Sequence, residues 1–272
     1  MTTADPAAPH ASGSKQASGS KQASDSKPRR WLFVSDVHLD AAAPEAQRQF
    51  LEFLRAEVAS PPANVRALYI LGDLFESWIG DDDSDDDRDA VLTALRELTE
   101  RGIGCFLLHG NRDFLLGEDF CRRTGCQLLP DPVIAELDGE RVLLTHGDAL
   151  CTDDHSYQEL RSMVRTAAWQ RRFLGLPLAD RRRLAEEARA GSRAHTARTI
   201  PKIMDVNAAA VTAAFKAARV RRIIHGHTHR PAVHDALLED RPVQRIVLGA
   251  WYEQGSYLAC EAGSYELRTL PR

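Results

Sequence analysis

From Trp31 onward, short apolar runs alternate with amphipathic stretches, and several of the runs break off at a polar tip. Trp31-Leu32-Phe33-Val34-Ser35 predicts a buried strand that stops at Asp36. Residues 44–58 carry Phe50, Phe53 and Leu54 at helical spacing and meet Pro61-Pro62, which predicts a helix and its stop. Ala67–Leu71 is a second strand, ending at Gly72-Asp73. Residues 88–101 place Val91, Leu92, Leu95 and Leu98 on one helical face, with Gly102 after them. Cys105–Leu108 is a strand ending at His109-Gly110-Asn111. Val133–Leu137 and Arg141–Thr145 read as a hairpin across Asp138-Gly139, and the second strand ends at His146-Gly147-Asp148. Residues 155–191 are helical and basic, and 205–218 form a further helix. Arg222–Ile224 is a strand that ends at His225-Gly226-His227, and Val243–Leu248, Tyr257–Ala262 and Tyr265–Leu270 close the chain as β runs.

Five strands therefore each end in Asp, His, Asn and Gly. Chemistry in α/β architectures collects at the carboxyl ends of strands, and packing alone does not account for five such tips. They are Asp36-x-His38, Gly72-Asp73, Gly110-Asn111-Arg112-Asp113, His146-Gly147-Asp148 and Gly226-His227-Thr228-His229. Carboxylate, imidazole and amide oxygen make a mixed N/O donor set suited to Mn²⁺, Fe²⁺ or Zn²⁺. Two-residue spacing in an extended segment puts Asp36 with His38, and His227 with His229, on common faces. Glycines before Asp73, Asn111 and His227 permit sharp turns close to an ion. Together the tips predict a dinuclear metal site. His225 reads instead as a packing residue at a strand end.

Composition narrows the class. The 272 residues are 43% hydrophobic and 27% charged, as in a globular protein, and no run is long enough to span a membrane. A net charge of −4 argues against a general nucleic-acid binder. The five cysteines are scattered, with no CxxC pair, so reduced thiols are expected. The first residues hold no apolar core of a secretory leader. They contain a repeat, Ala-Ser-Gly-Ser-Lys-Gln at 11–16 and 17–22, and three of the five lysines, so 1–30 is expected to be a disordered tail on a domain spanning 31–272. Arginines concentrate elsewhere: ten lie between Arg161 and Arg198, against three acidic residues. The run Asp81–Asp87 reads as a solvated acidic loop.

The series DxH, GD, GN, HG and GHxH resembles the calcineurin-like metallophosphoesterases. That resemblance implies an α+β fold, a four-layer αββα sandwich of two sheets flanked by helices. It also implies one ion on Asp36, His38, Asp73 and His229, and a second on Asp73, Asn111, His146 and His227. Two such ions, about 3.5–4 Å apart, polarise a phosphoryl group and activate the attacking water. Many relatives carry His after the GN pair, where this chain has Arg112. Guanidinium cannot donate a proton near neutral pH but binds phosphate bidentately. Arg112 therefore suits a leaving group that is itself a phosphate.

Longer blocks resemble one family in particular. Leu71–Asp83, His109–Gly117, Thr145–Asp154, Ile203–Asn207 and Ile224–His234 are similar to UDP-2,3-diacylglucosamine pyrophosphohydrolases of Gram-negative bacteria. This implies hydrolysis of UDP-2,3-diacylglucosamine to UMP and 2,3-diacylglucosamine 1-phosphate in lipid A synthesis, with water attacking the α-phosphorus. It implies two Mn²⁺ per chain, catalytic roles for Asp73, Asn111, Arg112 and His227, and a peripheral location among lipids of the cytoplasmic face of the inner membrane. The helical insertion at about 152–204 mixes arginines with Trp169, Phe173, Leu174, Leu176 and Leu178, and is expected to be a lid over the acyl chains. Matching positions place Asp154, Tyr157, Arg189 and Ser192, with Asn111, Arg112 and His227, against substrate. Thr196 and Thr199 stand where the family often has Asn and Lys, and Arg198 and Lys202 are the adjacent basic candidates. Two competing readings are another metallophosphoesterase, such as a nucleotide phosphodiesterase lacking the cap, and a non-enzymatic scaffold that has lost ligands.

Overall fold

The computed structural model describes residues 29–60, 64–83, 86–198 and 205–271, with the side chains of 86–87 and 193–198 left aside. The repeat-bearing segment, the Pro61-Pro62 stop, Thr199 and Lys202 lie outside the described residues. In chain order the elements are β1 (Arg30–Val34), α1 (Pro44–Phe53), β2 (Val65–Ile70), α2 (Asp86–Glu100), β3 (Gly104–Leu108), α3 (Glu118–Thr124), β4 (Gln127–Leu129), β5 (Val133–Leu137) and β6 (Glu140–Thr145). Then come α4 (His155–Val164), α5 (Ala167–Leu174), α6 (Leu178–Arg198), α7 (Ala208–Ala218), β7 (Arg222–His225), β8 (Ala232–Leu238), β9 (Arg241–Val247), β10 (Gly255–Glu261) and β11 (Ser264–Leu270).

The strands form two sheets, ordered β11-β10-β1-β2-β3-β4 and β5-β6-β7-β9-β8. β1 through β4 pair in parallel, as do β6, β7 and β9, so the five polar tips emerge from parallel strands. Alternation along each strand sorts the side chains. Trp31 and Phe33 of β1 face the second sheet, meeting Leu144, Ile224 and Ile246. Leu32 and Val34 face the helices, with Phe50, Phe53, Val91 and Leu95. Parallel register sets Phe33 beside Tyr69 and Tyr69 beside Phe106, and the three rings stack at 5.0 and 4.9 Å. Each such pair contributes about 0.5–1.5 kcal/mol beyond area burial. On the far side of the second sheet, Phe215 of α7 packs on Leu143, Ile223 and Val243. The order helix, sheet, sheet, helix is the four-layer α+β sandwich.

Several elements differ from the sequence pattern. The first helix becomes π-helical over Leu54–Ala59. α7 starts at Ala208 because the Asn207 side chain accepts from the N–H of Ala209 and Ala210, ending the preceding coil. The basic helical stretch is three helices, interrupted by the Thr166 cap, which accepts from Trp169 N, and by Gly175. β8 carries mostly exposed side chains, so it has none of the apolar signal of a buried strand.

The described start of the acidic run, Asp81–Asp83, is not a solvated loop. Asp81 accepts from the N–H of Gly117, Asp119 and Phe120 at the start of α3 and from the Trp78 indole. Asp82 pairs with Arg181 and Asp83 with Arg182 and Arg88. Asp86 opens α2. The first three carboxylates thus fasten α3 and α6 to the core.

Candidate metal centre

The chain turns sharply after β1, β2 and β7. Asp36, His38, Asp73, His227 and His229 all have left-handed backbone, with φ of 53, 53, 53, 68 and 55°. Only a few per cent of non-glycine residues adopt it, at a cost of roughly 1–3 kcal/mol each when strained. Hydrogen bonds between the tips hold it in place. Asp36 N donates to Gly72 O at 3.1 Å, His38 N to Asp73 O at 3.0 Å and Gly226 N to His146 O at 2.9 Å. Gly110 and Gly226 serve close approach: a Cβ on the first would overlap Asp73, and on the second Ser35 and Asp36.

These turns bring the candidate ligands together. His38 Nε2 lies 3.3 Å from His229 Nε2, 3.9 Å from Asp36 Oδ1 and 3.8 Å from Asp73 Oδ2. His229 Nε2 is 3.3 Å from Asp36 Oδ1. Asn111 Oδ1 is 3.0 Å from both His146 Nε2 and His227 Nδ1, and His146 Nε2 is 3.8 Å from Asp73 Oδ2. Asp73 thus stands between the His38 end and the His146 end. Asp36, His38 and His229 form one group with metal-ligand spacing, and Asp36, Asp73 and His146 form another. Asp36 belongs to both, where the family pattern shares only Asp73.

The electrostatics of the cluster fit a cation. Burial alone would raise the Asp36 carboxyl, yet His229, His146 and His38 outweigh it and hold it well below the usual range. Burial opposes protonation of His146, but Asp73, Asp148 and Asp36 push it up to about 9. Burial and the neighbouring His146 push His227 down to about 3. Asp36 Oδ1 is buried without a hydrogen-bond donor of good geometry. Carboxylate oxygens and imidazole nitrogens converging in two adjoining groups satisfy borderline divalent ions better than they satisfy one another.

Four residues that spacing did not single out support this set. Glu76 lies 2.9 Å from His38 Nδ1, and the Leu71 carbonyl accepts from His146 Nδ1 at 2.9 Å. The Leu71 carbonyl assigns the His146 ring proton to Nδ1, Glu76 stands at ion-pair distance from His38 Nδ1, and each Nε2 faces the site. Asp113, fully buried, accepts from Gly110 N at 2.8 Å and Leu74 N at 2.7 Å, tying two tips together. Asp148 accepts from Tyr157 Oη at 2.6 Å and Arg161 Nε at 2.8 Å, which joins α4 to the tip after β6. Asp113 and Asp148 sit inside the tip motifs; Glu76 carries no signal in spacing. His225 is buried, takes a hydrogen bond from Arg245 and is pushed by burial down to about 4, a neutral packing residue as expected.

The helices α4 to α6 lean over this centre. The Tyr157 ring stacks on His227, with centroids 5.8 Å apart. Arg112 reaches α6, its Nη2 3.5 Å from Ser192 Oγ, while its Nε is buried without an acceptor. Arg189 lies 3.7 Å from Asp40. Asp154 caps α4 by accepting from Tyr157 N at 3.1 Å and Ser156 Oγ at 3.0 Å. Thr196 and Arg198 lie in the last turns of α6, with side chains outside those described. Arg165 donates to Gly110 O at 2.7 Å and sits 5.1 Å over the Phe114 ring, beside the stacked pair Trp169 and Phe173. A cavity of about 340 Å³ between α6 and the tips after β1 and β2 is lined by Asp40, Gln47, Arg88, Arg182, Glu186 and Arg189.

The family model of the calcineurin-like phosphoesterases matches residues 29–231, and the chain belongs to that family. Within it, the chain is 50% identical over 248 residues to the UDP-2,3-diacylglucosamine hydrolase of Stenotrophomonas maltophilia strain R551-3, covering 89% of this chain and 98% of that one. It is 47% identical over 240 residues to the UDP-2,3-diacylglucosamine hydrolase of Salmonella paratyphi B, covering 88% and 98%. A solved archaeal phosphodiesterase covers 89% of this chain and 99% of its own at 16% identity, with a TM-score of 0.45.

Proposed function

We propose that this protein hydrolyses UDP-2,3-diacylglucosamine to UMP and 2,3-diacylglucosamine 1-phosphate. In this reading Asp36, His38, Asp73 and His229 hold one ion, and Asp73, Asn111, His146 and His227 the other. Two Mn²⁺ ions would supply Lewis-acid charge for the phosphoryl oxygens and activation of the attacking water. The remaining work falls to the chain. Glu76 and the Leu71 carbonyl orient His38 and His146. Arg112 carries the reading: its backbone N–H donates to Asp73 Oδ1 at 2.8 Å, its Nε is buried without an acceptor, and its Nη2 faces Ser192. A guanidinium there neutralises a departing sugar phosphate, which needs charge compensation and no proton.

The lid supplies the second half of the argument. Asp154, Tyr157, Arg189, Ser192, Thr196 and Arg198 are assigned to the sugar phosphate and the acyl linkages. Phe114, Trp169 and Phe173 offer the apolar side for the chains, whereas the charged cavity beside α6 does not suit them. Leu160 and Met163 on α4 and Leu174 on α5 are 50, 51 and 41% exposed, next to Arg171 and Arg172. Exposed apolar groups beside arginines favour an anionic membrane surface. This supports peripheral binding to the cytoplasmic face of the inner membrane. Among the described residues no helix is long and apolar enough to cross a membrane.

The test compares UDP-2,3-diacylglucosamine with bis(p-nitrophenyl) phosphate and dinucleoside polyphosphates, using protein stripped by chelation and reloaded with Mn²⁺. Preference for the lipid substrate, restored by metal, is expected. Equal or better turnover of the other two would favour a general phosphodiesterase.

A further inference from the structure

The candidate ligands of the two ions are supported from different sides. Those of the first are held by the core: Ser35 Oγ donates to Asp36 Oδ2 at 2.5 Å, Trp251 donates its backbone N–H to Asp36 O at 3.0 Å, and Glu76 stands 2.9 Å from His38 Nδ1. Those of the second meet α4. The Tyr157 ring stacks on His227, and Asp148, two residues beyond His146, accepts from Tyr157 Oη and Arg161 Nε. A third contact comes from Arg165, which follows the last residue of α4. Its Nη2 donates to Gly110 O at 2.7 Å. That carbonyl shares a peptide with the nitrogen of Asn111, and a planar peptide fixes the direction in which Asn111 leaves the turn. Asn111 Oδ1 then lies 3.0 Å from both His146 Nε2 and His227 Nδ1.

Other groups of the same tip are fastened from the core. Gly110 N donates to Asp113 Oδ1 at 2.8 Å, Arg112 N to Asp73 Oδ1 at 2.8 Å, and Trp78 N to Arg112 O at 3.2 Å. The Gly110 carbonyl is instead taken by a charged donor from outside the sheets, at a length typical of a charge-assisted bond. The guanidinium is itself ordered: it sits 5.1 Å over the Phe114 ring and 3.8 Å from Asp148 Oδ2. A neutral amide oxygen is drawn to a cation less strongly than a carboxylate is, so its placement depends more on the backbone that carries it. We infer that Arg165 is a positioning residue for the second ion. By holding the Gly110 peptide it aims Asn111, and it makes that ion's site depend on the seating of α4, whereas the first ion's site does not. The inference rests on the ligand assignment in the functional reading above.

The test titrates the full, chelator-stripped chain with Mn²⁺ and follows the bound ions by electron paramagnetic resonance, which separates single ions from exchange-coupled pairs. The wild type is expected to bind two ions per chain as a coupled pair. Arg165→Met keeps an apolar stem over Phe114 and loses the donor. It should weaken one ion about 10- to 100-fold and leave the other within about twofold, so that a single-ion signal replaces the coupled one at intermediate Mn²⁺. Arg165→Lys keeps one charged donor and should recover part of the loss. If Arg165→Met does not show the far-UV circular dichroism of the wild type, a selective weakening of one ion in Arg165→Lys is the expected result. Unchanged affinity of both ions in every folded variant, or equal weakening of both, overturns the inference. So does a rise in KM for the lipid substrate with ion binding intact, which would confine Arg165 to seating the helices. A wild type that binds both ions and does not hydrolyse UDP-2,3-diacylglucosamine removes the functional reading and leaves the role of Arg165 standing.

Discussion

Glu76 holds His38 by its Nδ1, 2.9 Å away, and so aims the opposite ring nitrogen at Asp36, Asp73 and His229. Contact with His38 and the charge of Arg112 outweigh burial and keep the Glu76 carboxyl below its ordinary range. A carboxylate behind a ligating imidazole fixes its tautomer and raises its basicity. Glu76→Ala should weaken Mn²⁺ binding about 10- to 100-fold, with Glu76→Gln retaining part of it. Equilibrium titration of the chelated protein measures this, and unchanged affinity in Glu76→Ala would remove the role.

Asp148 is the buried anchor of α4. Its Oδ2 takes hydrogen bonds from Tyr157 and Arg161, and Arg165 lies 3.8 Å away. Asp148→Ala leaves these donors facing a buried site. A loss of about 3 kcal/mol is expected, the lower end for a broken buried pair, because Arg161 keeps some access to water. Urea unfolding with metal chelated reports it; a change under about 1 kcal/mol would contradict the anchoring role.

The Arg181–Asp82 contact should behave asymmetrically. Arg181 is buried and donates also to Ile79 O and Leu176 O, whereas the Asp82 carboxylate is largely exposed. Arg181→Ala should accelerate tryptic cleavage within α6 severalfold, and Asp82→Asn much less. The hydrogen bond from Arg181 holds Asp82 below its ordinary range. Its small contribution is therefore present above about pH 4, the unperturbed carboxylate value, and is lost as pH falls through the lowered one. Equal protease sensitivity of the two variants would show that the ion pair, and not the backbone contacts, fastens α6.

Gly110→Ala tests the close approach of two tips. The added Cβ would overlap the Asp73 carboxylate and backbone. Ion binding and turnover should fall by two orders of magnitude or more, while far-UV circular dichroism stays that of the wild type, since the sheets lie outside the turn. Near-normal Mn²⁺ affinity would mean the tips can separate without consequence.

The residues of the centre were far more legible than its supports. Buried parallel strands read as continuous apolar runs, so the breaks at Asp36, Asp73, Asn111, His146 and His227 stand out in one dimension. β8 did not, because its exposed side chains have no apolar face. The pairing of Asp82 and Asp83 leaves no trace in the local sequence for a different reason. Asp82 and Asp83 meet Arg181 and Arg182 across 99 residues of chain, and no local pattern encodes a pairing at that distance. Glu76 was invisible likewise, since it gains its meaning only from the side of His38 that it touches.

In the proposed reaction, water attacks the α-phosphorus of UDP-2,3-diacylglucosamine at this cluster. Mass spectrometry of products formed in ¹⁸O-water by the Mn²⁺-loaded protein tests it most directly. The label should appear in UMP and not in 2,3-diacylglucosamine 1-phosphate, and no product should form after chelation. Label in the sugar phosphate, or unlabelled UMP, would contradict the account.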